Sequence, residues 1–202
     1  MSSSMMMYFG YGSLVNRQTR PPHEQALPAR LVGWRRSWTH RVTKRNSHTN
    51  CSSLTIDPVD EPGAGIDGAL VSLPAADLPL LDAREAGYAR IAVSMADVKL
   101  LAEPERGVAV PAAEEVILVY RSLPENRHSA SVDFPILQSY IDCVMAGYLT
   151  VFGADGLERF MRSTHGWQFP TQDDRAAPRY PRAVSVDNAL RADFDRLIKL
   201  HR

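Results

Sequence analysis

Alternating apolar and polar positions dominate the first half of the chain. Runs rich in β-branched and aromatic residues, bounded by Gly, Pro, Asn or Asp, occur at Met6 to Tyr11, Ala29 to Trp38, Arg41 to Arg45, Cys51 to Ile56, Ile66 to Leu73, Tyr88 to Met95 and Val116 to Arg121. Each predicts a strand, and their density predicts a small antiparallel or mixed β-barrel. "DPVDEPGAG" reads as a turn and "LAEPERGVAVPAAEE" as a surface loop.

The period then changes. From Asp133 onward, Ile136, Leu137, Tyr140, Ile141, Val144 and Met145 recur at helical spacing, with Asp133 as the expected cap and Gly147 or Gly153 near the expected end. A second short helix is predicted over Gly156 to Ser163. A third is predicted over Asp187 to His201, with Leu190, Phe194, Leu197 and Ile198 on one face. The Pro-containing stretch between them, "GWQFPTQDDRAAPRYPRAV", lacks periodicity and is expected to lie extended over the surface. The fold class is α+β, a small mixed barrel flanked by helices.

Composition narrows this further. At 202 residues and 45% hydrophobic content, the chain suffices for one sizeable core and is short for two. One domain over 1–202 is expected, with 164–202 an extended segment and helix packed on it. Basic and acidic residues balance at 23 each, so no global field draws the chain to nucleic acid or an anionic membrane. Cys51 and Cys143 form no CxxC, and the six histidines show no metal-ligand spacing. "MSSSMMM" lacks the features of a signal peptide, and no stretch is apolar enough to span a bilayer, which predicts a cytoplasmic protein.

Two stretches carry chemistry. In "MMMYFGYGSLV", a strand runs into a turn containing Gly10, Gly12 and Ser13. Glycine there permits positive φ or a close backbone approach, and successive N–H groups in such a turn can converge on an anion. The plainer alternative is an ordinary glycine-rich turn. The dinucleotide, P-loop and nucleophile-elbow patterns do not fit. In "AADLPLLDAREAGYARIAV", Asp77 can cap a short helix, Pro79 suits its first turn and Gly87 its end. Glu85 then sits at a helix C-terminus, where the macrodipole and partial burial raise a carboxyl pKa and suit it to act as a base. A pairing with Arg84 pulls the other way, and an exposed carboxylate is the plainer alternative.

Taken together, "FGYGSL", "LPARLVGWRRSW", "GIDGALVSLP", "LDAREAGY" and Tyr140 seven residues before Gly147, in that order, resemble the γ-glutamylcyclotransferase superfamily. The "FGYGSL" and "REAGY" forms are more similar to its glutathione-cleaving ChaC-type branch than to its AIG2-like members. The resemblance covers roughly Tyr8 to Arg162. It implies a pocket floored by the glycine turn, with Glu85 catalytic and Gly10, Tyr11, Gly12, Ser13, Leu14, Val15 and Tyr140 binding substrate. The implied partner is a small γ-glutamyl compound, and the reaction needs no metal or cofactor. Oligomeric state is not written in the pattern.

The chain departs from the family at Trp167 to Val184, with Arg175, Arg179, Tyr180 and Arg182. That segment can cap the pocket, contact a second subunit or brace the barrel. A rival reading starts from "ARLVGWRRSWTHRVTKR", whose Arg30, Arg35, Arg36, Arg41, Lys44 and Arg45 interleave with Trp34 and Trp38. Such a face can stack bases along a single strand. Balanced charge elsewhere favours inward tryptophans and solvated arginines instead. A further alternative is a protein that binds a γ-glutamyl-like ligand without turnover, against which the retention of Glu85 argues.

Overall fold

The computed structural model describes residues 4–42, 50–103, 110–112 and 114–202. In chain order these form β1 (Met5–Gly10), β2 (Gln25–Val32), β3 (Trp34–Val42), β4 (Cys51–Pro58), β5 (Gly65–Pro74), α1 (Leu78–Arg84), β6 (Tyr88–Ser94), β7 (Val98–Leu100) and β8 (Val116–Ser122). There follow β9 (Ile136–Leu137), α2 (Gln138–Arg162), β10 (Thr164–His165), β11 (Thr171–Gln172) and α3 (Asn188–Leu200).

The strands build two sheets. One has six strands in the order β6-β8-β1-β5-β2-β7, and the other has five in the order β10-β3-β4-β9-β11. Pairing is mixed, since β1 runs antiparallel to β5 but parallel to β8. The α+β class and mixed pairing match the sequence pattern. Among the described strands, however, no ladder joins the two sheets into one closed barrel.

Several boundaries move for identifiable reasons. The expected strand Ala29 to Trp38 is broken at Gly33, whose φ of 78° is open to glycine and strained for other residues. The break passes the chain from β2 in one sheet to β3 in the other. The expected strand Arg41 to Arg45 is represented by Arg41 and Val42 at the end of β3, and its remainder lies outside the described residues. The loop predicted at 101–115 is likewise described only in part.

Helix α2 does not begin at Asp133. Ser131 and Phe134 exchange backbone hydrogen bonds in a turn, and Pro135 biases Phe134 away from helical geometry. Ile136 and Leu137 then pair as β9 with Thr171 and Gln172. The helix N-terminus is instead satisfied from far along the chain, where Asp174 accepts from the Ser139 amide at 2.8 Å and its hydroxyl at 2.6 Å. Gly147 does not end the helix either. A β-carbon there would lie 2.8 Å from the Asn16 backbone nitrogen, so this glycine lets the helix press against the turn after β1. The break comes at Gly153, with φ 67°, between the two helices expected from the sequence.

Helix α3 forms where the pattern predicts a third helix, and Asp187 caps it by accepting from the Leu190 amide at 2.9 Å. Its Phe194 and Ile198 are buried in the same apolar cluster as Tyr8, Phe9, Trp38 and Ile141. Among the described residues, no helix is long and apolar enough to cross a membrane.

Candidate active site

The glycine turn leaves β1 and winds into a single 3-10 turn, Ser13–Val15, in which Val15 and Asn16 donate to the Gly12 and Ser13 carbonyls at 3.0 Å each. The amides ahead of them, at the open end of the turn, have no acceptor within it. Positive φ is not what the two glycines supply, because the chain places it at Gly33, Gly63, Gly153 and Gly166 instead. Their contribution is close approach. A β-carbon on Gly10 would lie 2.7 Å from Leu14 Cβ, and one on Gly12 would lie 3.0 Å from the Tyr140 hydroxyl.

Buried side chains fix this turn in place. The Tyr148 hydroxyl donates to the Tyr11 carbonyl at 2.9 Å and itself accepts from Arg36. The Tyr11 hydroxyl donates to the Tyr120 carbonyl, and Asn16 Nδ2 donates to the Cys143 carbonyl at 2.9 Å. Buried hydrogen bonds of this kind rigidify what they hold.

Glu85 is where the sequence put it, at the C-terminal end of α1, with its amide bonded to the Leu81 carbonyl at 3.0 Å. Asp77 precedes that helix without capping it, because its carboxylate is drawn to His23 Nε2 at 2.9 Å. Burial pushes the Glu85 carboxyl above the usual carboxylate range, against the opposing charges of Arg84 and Arg182. The side chain is 17% exposed, with Arg84 Nε 3.2 Å from Oε1. Desolvation is therefore the cause of the shift, and the expected pairing with Arg84 is present as the counterweight.

These pieces meet at a cavity of about 220 Å³ whose wall includes Ser13, Arg84, Glu85, Tyr88, Tyr140 and Arg182. A small adjoining hollow carries the lining on to Tyr11, Gly12 and Leu14. The structure thus brings Glu85, Tyr11, Gly12, Ser13, Leu14 and Tyr140 together. Gly10 and Val15 line neither space: Gly10 lies against Leu14, and Val15 is fully buried.

Among the other lining residues, Tyr88 carries no site signal of its own in the sequence, and Tyr180 and Arg182 belong to the segment whose role the sequence leaves open. Tyr88 stands three residues after Glu85 in the same motif, and its strand-like neighbours concealed it. Its hydroxyl donates to the Leu54 carbonyl at 2.8 Å, and its ring stacks on His40 at 3.8 Å between centroids. Tyr180 and Arg182 come from the segment Trp167 to Val184, which therefore forms part of the pocket wall. The same segment also braces the fold, since Arg175 bridges Asp142 at 2.7 Å and Asp195 at 2.9 Å.

The arginine- and tryptophan-rich stretch is dispersed rather than gathered on one face. Trp38 and Arg36 are fully buried, Arg30 pairs with Asp67, and Arg35 pairs with Glu61. Lys44 and Arg45 lie outside the described residues. Among the described residues, no group of three or more His, Cys, Asp or Glu is placed to hold a metal ion.

No protein-family model and no curated protein matches the chain. Solved structures do match it in fold. A γ-glutamyl cyclotransferase aligns over 98% of this chain and 99% of its own, with TM-score 0.58 and 18% identity. An uncharacterized human protein aligns over 96% and 98%, with TM-score 0.57 and 18% identity. The YkqA protein of Bacillus subtilis aligns over 85% of this chain and 57% of its own, with TM-score 0.57 and 19% identity. The fold is therefore shared with a solved γ-glutamyl cyclotransferase.

Proposed function

We propose that the protein is a γ-glutamylcyclotransferase that releases 5-oxoproline from a γ-glutamyl amide. The observation that carries this reading is the pairing, across one cavity, of a buried carboxylate with raised proton affinity and an open-ended backbone turn. The match in fold supports it.

In such a substrate the α-amine is tethered to the carbonyl it attacks, and holding the chain folded supplies most of what a bimolecular reaction would lack. The bond from the α-nitrogen to the γ-carbon forms, closing a five-membered ring, while the carbonyl oxygen takes up negative charge. Glu85 removes a proton from the attacking nitrogen and returns it to the departing nitrogen as the original amide bond breaks. Burial keeps the proton affinity of Glu85 high enough for both transfers, and Arg84 and Arg182 keep its ionised form accessible. The amides of Gly12, Ser13 and Leu14 are the donors nearest to hand for the oxyanion or the substrate carboxylate. Tyr140, packed edge-on against Trp38 at 5.8 Å and Tyr180 at 4.9 Å, is held rigidly enough to orient the γ-glutamyl part.

The test is incubation of the purified protein with glutathione, γ-glutamyl amino acids and a γ-glutamylamine in the presence of a chelator, with 5-oxoproline as the readout. Release from at least one of them is expected. Release that appeared only on adding metal would overturn the mechanism, and ligand binding without release would favour a non-catalytic γ-glutamyl binder.

A further inference from the structure

A second cavity, of about 460 Å³, shares Arg84 and Arg182 with the site just described. Its wall adds a third guanidinium, Arg20, together with the carboxylates of Glu24 and Asp77. Both carboxylates are already engaged, Asp77 by His23 Nε2 at 2.9 Å and Glu24 by the Tyr8 hydroxyl at 2.7 Å. The fork of Arg84 is also occupied, by the Thr19 carbonyl at 2.6 Å and by Glu85.

Arg20 differs from its neighbours. It is only 8% exposed, and its Nε and one Nη are buried with no hydrogen-bond partner among the described residues. Burial works against its charge, and the nearby Glu24 does not fully offset that cost. A guanidinium does not escape this cost by losing its proton, so its unmet donors call for an anion. An anionic oxygen is the acceptor that a charged donor of this kind binds most strongly.

We propose that this cavity is an anion-binding site, built on Arg20 with Arg182 and the field of Arg84, for a carboxylate or a phosphate group. Because Arg84 and Arg182 border both cavities, the anion is either a separate small ion or the far end of a ligand whose other end lies at Glu85. The site itself does not depend on the proposed reaction.

The test titrates the full chain at low salt with inorganic phosphate and with acetate, followed by calorimetry. Saturable binding is expected, weakened about tenfold or more in Arg20→Met and in Arg182→Met, as for loss of a charge-assisted contact. Arg20→Lys, which keeps the charge but not the fork, should fall between. Equal affinity in the wild type and a folded Arg20→Met, judged by circular dichroism, would overturn the proposal, as would the absence of saturable binding. If Arg20→Met fails to fold, unchanged affinity in Arg182→Met has the same force. Competition with phosphate by a γ-glutamyl amino acid but not by its carboxamide identifies the anion as the substrate's own carboxylate; simultaneous binding identifies a separate ion. A protein that binds phosphate through Arg20 but never releases 5-oxoproline would retain this site while losing the proposed reaction.

Discussion

The Tyr140 hydroxyl stands 3.0 Å from where a β-carbon on Gly12 would lie, so the glycine turn and helix α2 are fitted to each other at the mouth of the candidate site. Gly12→Ala should push Tyr140 back by a few tenths of an ångström, and Gly12→Val should displace it further and crowd Leu54. Misplacement on that scale costs about 10²-fold in kcat/KM for the valine variant and less for alanine. Tyr140→Phe removes the clashing oxygen, so the Gly12→Ala, Tyr140→Phe double variant should lose less than the two single losses combined. Steady-state kinetics of the four proteins decides this, and strict additivity would count against the contact.

Glu85→Gln preserves shape and hydrogen bonding but not proton transfer. Turnover should fall by about 10² to 10⁴, with substrate binding retained. The melting curve should barely move, because relief of a buried charge offsets the loss of the Arg84 pair, and Arg84 keeps its bond to the Thr19 carbonyl. An active variant would return Glu85 to the role of a structural carboxylate.

The proposed reaction uses ionised Glu85 as its base, so it requires the rate to rise with pH through a limb above the usual carboxylate range, as burial dictates. Arg182 lowers that proton affinity. Arg182→Met should therefore move the acid limb to higher pH. A limb that stayed put would mean that Glu85 is not the titrating group.

His40 is 2% exposed, and burial depresses its pKa from 6.5 to about 4. The unfolded chain takes up this proton first as pH falls, so stability should drop between those values, by up to about 3 kcal/mol in all. Below the lower value the native state binds the proton too, and the loss levels off. His40→Asn should flatten this part of the pH profile in urea unfolding, while an unchanged slope would place the acid sensitivity elsewhere.

Because Trp38 is fully buried and Trp167 nearly so, tryptophan emission should be blue-shifted and indifferent to single-stranded RNA or DNA. Quenching that faded steeply with added salt would restore the nucleic-acid reading.

Local pattern alone determined the α+β class, the strand-rich first half, the short helix ending at Glu85 and the presence of α3. Those features depend on periodicity and on groups a few residues apart, which the chain displays directly. The two motifs also meet in space, since Gly12, Ser13 and Glu85 line one cavity. Tertiary structure decided the rest. Asp174, not Asp133, satisfies the start of α2, because Pro135 and the pairing of Ile136 with Thr171 remove the local cap. Gly12 makes room for Tyr140 rather than adopting positive φ, a contact between positions 128 residues apart. Arg182 and Tyr180 reach the site because an aperiodic segment is laid over it by contacts such as that of Arg175 with Asp142 and Asp195. Burial, which raises the proton affinity of Glu85 and leaves two Arg20 donors unmet, is a property of the assembled fold, and no run of residues displays it.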